Sequence, residues 1–344
     1  MRRLAAVLAV LMLLGSSVSL ADGERGTTSF TAAFAAEMAR ACRDGSSEAD
    51  DWLDVTQNGV FDGVDILVAL DNAVGNIPDI VKFVEINASG LVGENDYRVF
   101  SYNGTIEDGQ GNFRSDSVSV TTVRGEWDRS VYFLSDIYVR DAGSIRTSVA
   151  PSGTSREERY VERYAKRLDA VLAINGDYYT AQNKGPIVRN GDVINEMVNR
   201  YSDICILTGD GVMTTYPRRT LDKELFQSLD VRQSWVFGPA LLDESGAALS
   251  GFASEVTGRN PRSVIGYFAP GHYCFLLVDG RQEGYSSGLS LDSLAKLCEE
   301  LGMSAAYNLD GGQSSAMATA AGLVDSPVHD GRPVSDVIYV VRPD

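Results

Sequence analysis

The sequence predicts a sheet-rich α+β domain with a few packed helices, preceded by a small helical N-terminal region, and three observations carry that expectation. From residue 97 onward, short alternating or wholly apolar runs follow one another, bounded by Gly, Asn and Asp as strands are. Helical spacing within that stretch is confined to a few segments, residues 155–168 and 290–301 among them. Thirty-four glycines call for many turns, and hence many strands.

The chain opens with "MRRLAAVLAVLMLLGSSVSLA": two arginines, an apolar run over residues 4–14, and small residues ending in Ser19-Leu20-Ala21. This is the anatomy of a secretory signal peptide, so residues 1–21 are expected to be removed and the mature chain to begin near Asp22, outside the cell or at its surface. The apolar core falls short of the ~20 residues a spanning helix needs, so no transmembrane domain is expected after cleavage. No cysteine follows the run, which argues against a lipoprotein.

Residues 22–95 form the N-terminal region. Phe30, Phe34, Met38 and Cys42 share one helical stripe. The dodecamer "DVTQNGVFDGVD" then places side-chain oxygens at loop positions 1, 3, 5, 9 and 12, namely Asp54, Thr56, Asn58, Asp62 and Asp65. Gly59 stands where the sharp turn is needed, and Val60 would add its carbonyl. The layout resembles a single dockerin-type Ca2+ repeat, with Thr at position 3 where Asn or Asp is usual. An acidic surface turn ahead of the helix in "DILVALDNAV" accounts for the same residues, and both readings stand. Without a convincing second repeat, a cohesin-type partner has only weak support.

Residues 96–344 form the main domain. Its expected strands are "YRVFSY", "SVSVTTV", "SVYFLSDIYV", "SIRTSVA", "AVLAIN", "DICILTG", "SWVFGPALL", "SVIGYFA", "YCFLLVDG", "SAAYNLD" and "SDVIYVV". Ser155 and Glu158 have the spacing of a capping box before Val161, Tyr164 and Leu168, and Gly302 closes the helix over residues 290–301.

Charge and cysteine usage narrow the partners. Forty-seven acidic against 30 basic residues give a net charge of −17, which repels polyanions and argues against nucleic acid as a partner. Cys42, Cys205, Cys274 and Cys298 are too widely spaced for a zinc pattern, and Cys205 and Cys274 lie in apolar runs where a buried thiol is expected. With His272 and His329 as the two histidines, most His-based metal and triad schemes fall away, and no cofactor is expected to be required for catalysis.

Four strands end alike, in polar residues and glycine. "AINGDYY" supplies Asn175, Asp177, Tyr178 and Tyr179; "GRNPRSVIGY" supplies Asn260 and Arg262. "LLVDGRQEGYSSG" supplies Asp279, Arg281 and Tyr285; "NLDGGQSS" supplies Asn308, Asp310, Gly311, Gly312, Ser314 and Ser315. Each is an ordinary turn residue when taken singly. Together they suggest one site on a rigid scaffold, because "DGGQSS" is longer and more polar than a turn requires. Bare glycines let a ligand approach the backbone, serines donate hydrogen bonds, and an aspartate can serve as base or nucleophile.

The ordered set "AINGDYY", "FGPALL", "NPRSVIGY", "VDGRQEGYSSGLSLDSLAKL", "YNLDGGQSSAM" and "VSDVIYV", covering roughly residues 130–344, resembles the phosphodiester glycosidase family. The resemblance implies hydrolysis of a sugar-1-phosphodiester at the anomeric carbon, leaving a phosphomonoester on the acceptor. It implies a site of Asn175, Asp177, Asn260, Arg262, Asp279 and Asp310 with its glycines and serines, with Arg332 in "DGRPVSD" as a further member. Gln313 stands where many relatives have a third glycine. On the chemistry alone, Asp310 and Asp177 are the expected carboxylate pair, since an oxocarbenium-like transition state is usually served by two. Arg262's planar fork suits two phosphate oxygens.

Two other readings use the same residues. "GYSSG" fits the G-x-S-x-G pattern, with Asp310 and His329 following in serine-hydrolase order, yet "GRQEGY" separates Ser286 from its strand, which a nucleophile elbow does not allow. A calcium-dependent surface carbohydrate-binding protein would hold a sugar with the same Asn, Asp and Tyr groups, including Tyr285, but needs no paired carboxylates.

Overall fold

The computed structural model describes residues 30, 35, 36, 38–40, 54–56, 60–87, 90–92, 94–150, 153–180, 185–198, 202–253 and 256–343. The leader, Cys42, Asn58 and Gly59 lie outside the described residues. The chain forms two compact units that divide between Thr105 and Ile106. Among the described residues, no helix is long and apolar enough to cross a membrane.

In the first unit, helix α1 (Gly63–Ala73) begins at a reciprocal cap: Asp62 Oδ1 accepts from Val64 N at 2.7 Å, and Asp65 Oδ2 accepts from Asp62 N at 2.8 Å. Helix α2 (Ile80–Asn87) and a 3-10 helix (Glu94–Val99) complete a core around Val68, Ala69, Phe83 and Tyr97. Met38, on the expected stripe, is helical and buried in the same core. The expected strand at residue 97 is instead the end of the 3-10 helix. Tyr97 Oη donates to Asp71 Oδ2 at 2.6 Å and its ring meets Phe83 edge-on, so tertiary partners override the β propensity of the run.

The second unit is the sheet-rich α+β domain that the sequence predicts. It opens with β1 (Ile106–Glu107), β2 (Phe113–Arg114), β3 (Val118–Trp127) and β4 (Ser130–Val139). Next come β5 (Ile145–Val149), helix α3 (Val161–Arg167) and β6 (Leu172–Asn175). The strands β7 (Ile187–Arg189), β8 (Asp192–Asn195), β9 (Ile204–Thr208) and β10 (Met213–Tyr216) precede helix α4 (Lys223–Ser228) and β11 (Val231–Trp235). A hairpin of β12 (Arg262–Ala269) and β13 (His272–Val278) leads to helix α5 (Leu291–Glu300) and β14 (Ala305–Asn308). The chain finishes with β15 (Met317–Thr319), β16 (Gly322–Leu323) and β17 (Asp336–Val340).

These strands form three antiparallel sheets, ordered β1-β2-β3-β4-β13-β12-β14, β10-β9-β11-β7-β8 and β16-β15-β6-β17-β5. Their inner faces share one core that includes Ile137, Leu172, Ile174, Leu207, Trp235, Phe275 and Ile338. Strand β13 shows why its sequence is unbroken by polar residues. Tyr273, Phe275 and Leu277 face that core, while Cys274, Leu276 and Val278 pack with Leu294, Leu297 and Cys298 of α5. Each fully buried side chain of this size contributes roughly 1.5–3 kcal/mol, so packing rather than intrinsic propensity holds helices as short as α3. Its Val161, Tyr164 and Ala165 lie on Ala173, Ala318 and Val337. Beyond Trp235 the expected strand leaves its sheet, because Val236 N donates to Asp177 Oδ2 at 2.9 Å rather than to a neighbouring strand.

Candidate active site

The polar strand ends meet because antiparallel neighbours bring the end of β6, the end of β14 and the starts of β12 and β17 to one edge. Val264 pairs with Asn308, and Val337 pairs with Asn175. Asn175 locks that edge: its Oδ1 accepts from Ser263 Oγ at 2.7 Å and from Ala316 N at 3.3 Å, and its Nδ2 donates to the Asp310 carbonyl at 2.7 Å. Asp310 N completes the seam by donating to Gly176 O at 3.2 Å. Asn175 is fully buried and positions the Asp310 backbone from behind.

Asp310 itself opens into a cavity of 490 Å³, lined also by Ser314, Arg332, Tyr178, Arg156 and Arg159. Arg332 Nη2 donates to Asp310 Oδ2 at 3.0 Å and its Nε donates to Ser314 Oγ at 2.5 Å. Burial pushes the Asp310 carboxyl above the ordinary aspartate range, and the hydrogen bond from Ser314 and the charge of Arg332 pull part of the way back. Tyr178 holds a left-handed backbone, φ +55°, that places its half-exposed ring 5.9 Å from the Arg332 guanidinium. Arg159 Nε is buried and lacks a hydrogen-bond partner among the described residues. An unmet buried donor on a cavity wall is a place for an anion.

The two expected carboxylates do not share this cavity. Asp177 is fully buried: Oδ1 accepts from Arg189 Nη2 at 2.7 Å and Oδ2 from Val236 N. Arg189 Nη2 also lies 3.4 Å from Asp336 Oδ2. Burial and the adjoining negative charge of Asp177 push the Asp336 carboxyl up to about 8. Asp177 is therefore part of a buried Asp–Arg–Asp cluster behind Tyr178, with its oxygens occupied.

Arg262 is likewise committed elsewhere. Its Nε donates to Leu289 O at 3.0 Å, and its Nη2 to Val256 O at 2.8 Å and Gly258 O at 2.6 Å. Burial, with the nearby charge of Arg281, lowers its guanidinium to about 10. It clasps two loops and does not line the Asp310 cavity. Asn260 Oδ1 accepts from Arg281 Nε at 2.9 Å, and its Nδ2 donates to Gly258 O at 3.0 Å.

Gly311 and Gly312 allow close approach of protein rather than open space. A Cβ on Gly311 would stand 2.9 Å from Pro261 O, and one on Gly312 would stand 3.3 Å from Arg281 Nη2. Gly312 N donates to that same Pro261 carbonyl at 3.0 Å, so it is not presented to a ligand. Ser315 Oγ is buried without a partner among the described residues. Asp279 is buried and pushed up to about 6 by desolvation; its Oδ2 accepts from Tyr285 Oη at 2.8 Å and from Ser326 N at 3.3 Å.

The remaining motifs have structural partners. Ser286 Oγ donates to Asp279 O at 2.6 Å and accepts from Val131 N at 3.0 Å, which spends the hydroxyl that an esterase would need. Cys205, Cys274 and Cys298 are free and buried. In the acidic dodecamer, Asp65 Oδ1 accepts from Thr56 N at 2.9 Å and from Thr56 Oγ1 at 3.0 Å, and its Oδ2 caps α1. Thr56 Oγ1 lies 3.3 Å from Asp54 Oδ1. Thr56 and Asp62 are thus gathered on Asp65, which caps the helix, and Val60 is exposed. No group of three or more metal-ligating side chains gathers among the described residues.

Sequence reasoning had no hold on Arg156 and Arg159. "SREER" reads as an exposed helix start, and only the fold carries it to Arg332.

The profile of the family described as phosphodiester glycosidase matches residues 169–341. The SPbeta prophage-derived uncharacterized protein YomE of Bacillus subtilis is 28% identical over 201 residues, 56% of this chain. The chain spans under a third of that protein's length, 31%. The zebrafish N-acetylglucosamine-1-phosphodiester alpha-N-acetylglucosaminidase catalytic domain, auto-inhibited by its pro-peptide, superposes with a TM-score of 0.51 at 20% identity, over 66% of this chain and 83% of that one. A hypothetical protein from Synechocystis gives the same TM-score, 0.51, at 14% identity, over 66% and 63% of the two chains. At these identities the two structures are likenesses of fold.

Proposed function

As the chain belongs to the phosphodiester glycosidase family, we propose that it hydrolyses a sugar-1-phosphodiester at the anomeric carbon, acting outside the cell after removal of residues 1–21. The sugar is N-acetylglucosamine or a related sugar of a cell wall or exopolysaccharide. The observation that carries this reading is the composition of the Asp310 cavity: three arginines, Arg156, Arg159 and Arg332, around one buried aspartate in a protein of net charge −17. A protein so acidic excludes anions generally, and concentrating guanidinium groups at one hollow admits a phosphate there.

In this reaction water attacks C1, the C1–O bond breaks with its electron pair going to the phosphate, and a phosphomonoester leaves with one proton released. The leaving group has a pKa of about 6, so it departs without a general acid. One carboxylate is then enough. Asp310 takes the proton of the attacking water or stabilises the positive charge developing at C1, while the arginines hold the departing phosphate. Asn175, Arg262 and Asn260 act as positioning residues for the loops around it, and no cofactor enters the scheme.

The test is product analysis with a panel of sugar-1-phosphate methyl and nucleoside diesters, α-N-acetylglucosamine included, with and without Ca2+. Equal amounts of free sugar and phosphomonoester, lost in Asp310→Asn, are expected. Full activity of a folded Asp310→Asn protein would overturn the assignment.

A further inference from the structure

The β3–β4 hairpin turns through Asp128, φ +42°, and Arg129, φ +59°. A two-residue turn of this kind ordinarily uses Asn and Gly, which adopt the left-handed region easily. Strain of this sort persists only where the surroundings over-determine it. Here they do: Arg259 Nη2 reaches Asp128 Oδ2 at 2.5 Å, Ser293 Oγ donates to the same oxygen at 3.2 Å, and Ser287 N donates to Arg129 O at 3.0 Å. Ser130 Oγ adds a bond to Gly288 O at 2.8 Å. The hairpin tip is thereby riveted to the 286–288 turn.

Between tip and turn lies a cavity of 580 Å³, which shares no lining residue with the Asp310 cavity. Trp127 lines it while part of its ring packs on the core beneath α5. Tyr285 lines it with its ring in a fixed pose, because its hydroxyl is tied to Asp279 Oδ2. Gln282 and Ser287 supply polar groups, and Arg129 is exposed with no ion pair among the described residues. Arg124 pairs with Glu126 at 3.3 Å and Arg259 with Asp128, so Arg129 is the lining guanidinium left open to an anion.

We propose that this second cavity binds an acidic saccharide unit, its ring against Trp127 and Tyr285 and its anionic group on Arg129. Fixed aromatic faces beside amide and hydroxyl groups suit a ring that is apolar on its faces and polar at its edge. A planar guanidinium suits a carboxylate or phosphate on that ring. The site is independent of hydrolysis and would hold a part of a charged glycan distant from the cleaved bond.

The test is calorimetric titration of the full chain with a galacturonic acid tetramer, with glucose 6-phosphate and with the neutral maltotetraose. Binding of at least one acidic ligand is expected, the two separating a uronate from a phosphosugar preference, with the neutral tetramer weaker by about tenfold or more. Trp127→Ala and Arg129→Ala should each weaken the acidic ligand by about tenfold, and binding that both variants leave intact belongs to the Asp310 cavity. Arg129 is exposed, so its variant carries the test should Trp127→Ala fail to fold. No binding of either acidic ligand, equal binding of maltotetraose, or unchanged affinity in Arg129→Ala would overturn the proposal. Turnover plays no part in this readout, so it fails or stands separately from the hydrolytic reading.

Discussion

Arg332 holds Asp310 and Ser314 with one guanidinium, Nη2 at 3.0 Å from the carboxylate and Nε at 2.5 Å from the hydroxyl. The contact fixes where the carboxylate points and opposes the effect of burial on its ionisation. Truncation should therefore change both rate and pH dependence. Arg332→Ala is expected to lower kcat by about a hundredfold. If Asp310 works as a carboxylate, the acidic limb of the pH–rate profile should also move to higher pH in this variant, which a pH series on both proteins measures.

Arg156 and Arg159 face the same cavity without ion-pair partners among the described residues. A charge-assisted bond to phosphate contributes about 1.5–3 kcal/mol, so each Ala substitution should lower kcat/KM for a phosphodiester by roughly ten- to a hundredfold. The inhibition constant of the phosphomonoester product should rise in step. Unchanged product inhibition in both variants would remove the arginines from the phosphate site.

Asn175 joins three groups that have no other partner among the described residues: Ser263 Oγ, Ala316 N and Asp310 O. Asn175→Ala leaves buried polar atoms unsatisfied, and the loss should be at least about 2 kcal/mol in urea denaturation. With the Asp310 backbone freed, kcat should fall while KM changes little.

The buried Asp336 carboxyl, raised to about 8, makes stability depend on pH in a defined direction. Between the ordinary aspartate pKa and that value, the folded state holds a proton that the unfolded state has lost. The stabilisation is complete below about pH 4 and declines as pH rises towards 8, by up to about 1.4 kcal/mol per pH unit. Asp279, raised to about 6, adds to the decline over the lower part of that range. Asp336→Asn should flatten the slope in denaturation curves recorded from pH 4.5 to 8.5.

The sequence made the scaffold and the centre of the candidate site legible for different reasons. Strand β13 could be read because both its faces are buried, which leaves an apolar run with no polar alternation. Asp310 stood out because its turn carries more polar groups than a turn needs. Arg262 and Arg159 show where reading stops. Both are arginines beside turns, and their roles are set by whether backbone carbonyls fill the guanidinium, as the nearby Val256 and Gly258 and the sequence-distant Leu289 do for Arg262. Asp177 looks identical to a working carboxylate until Arg189 and Val236 close on its oxygens. Short strands such as β7, β10 and β16 carry too few residues for a period to show.

Hydrolysis of an α-sugar-1-phosphate methyl diester in 18O-labelled water separates cleavage of the C1–O bond from cleavage of the P–O bond. Label is expected at C1 of the released sugar at the first turnover, with unlabelled methyl phosphate by mass spectrometry. Label in the phosphate would mean attack at phosphorus, and would contradict the role given to Asp310.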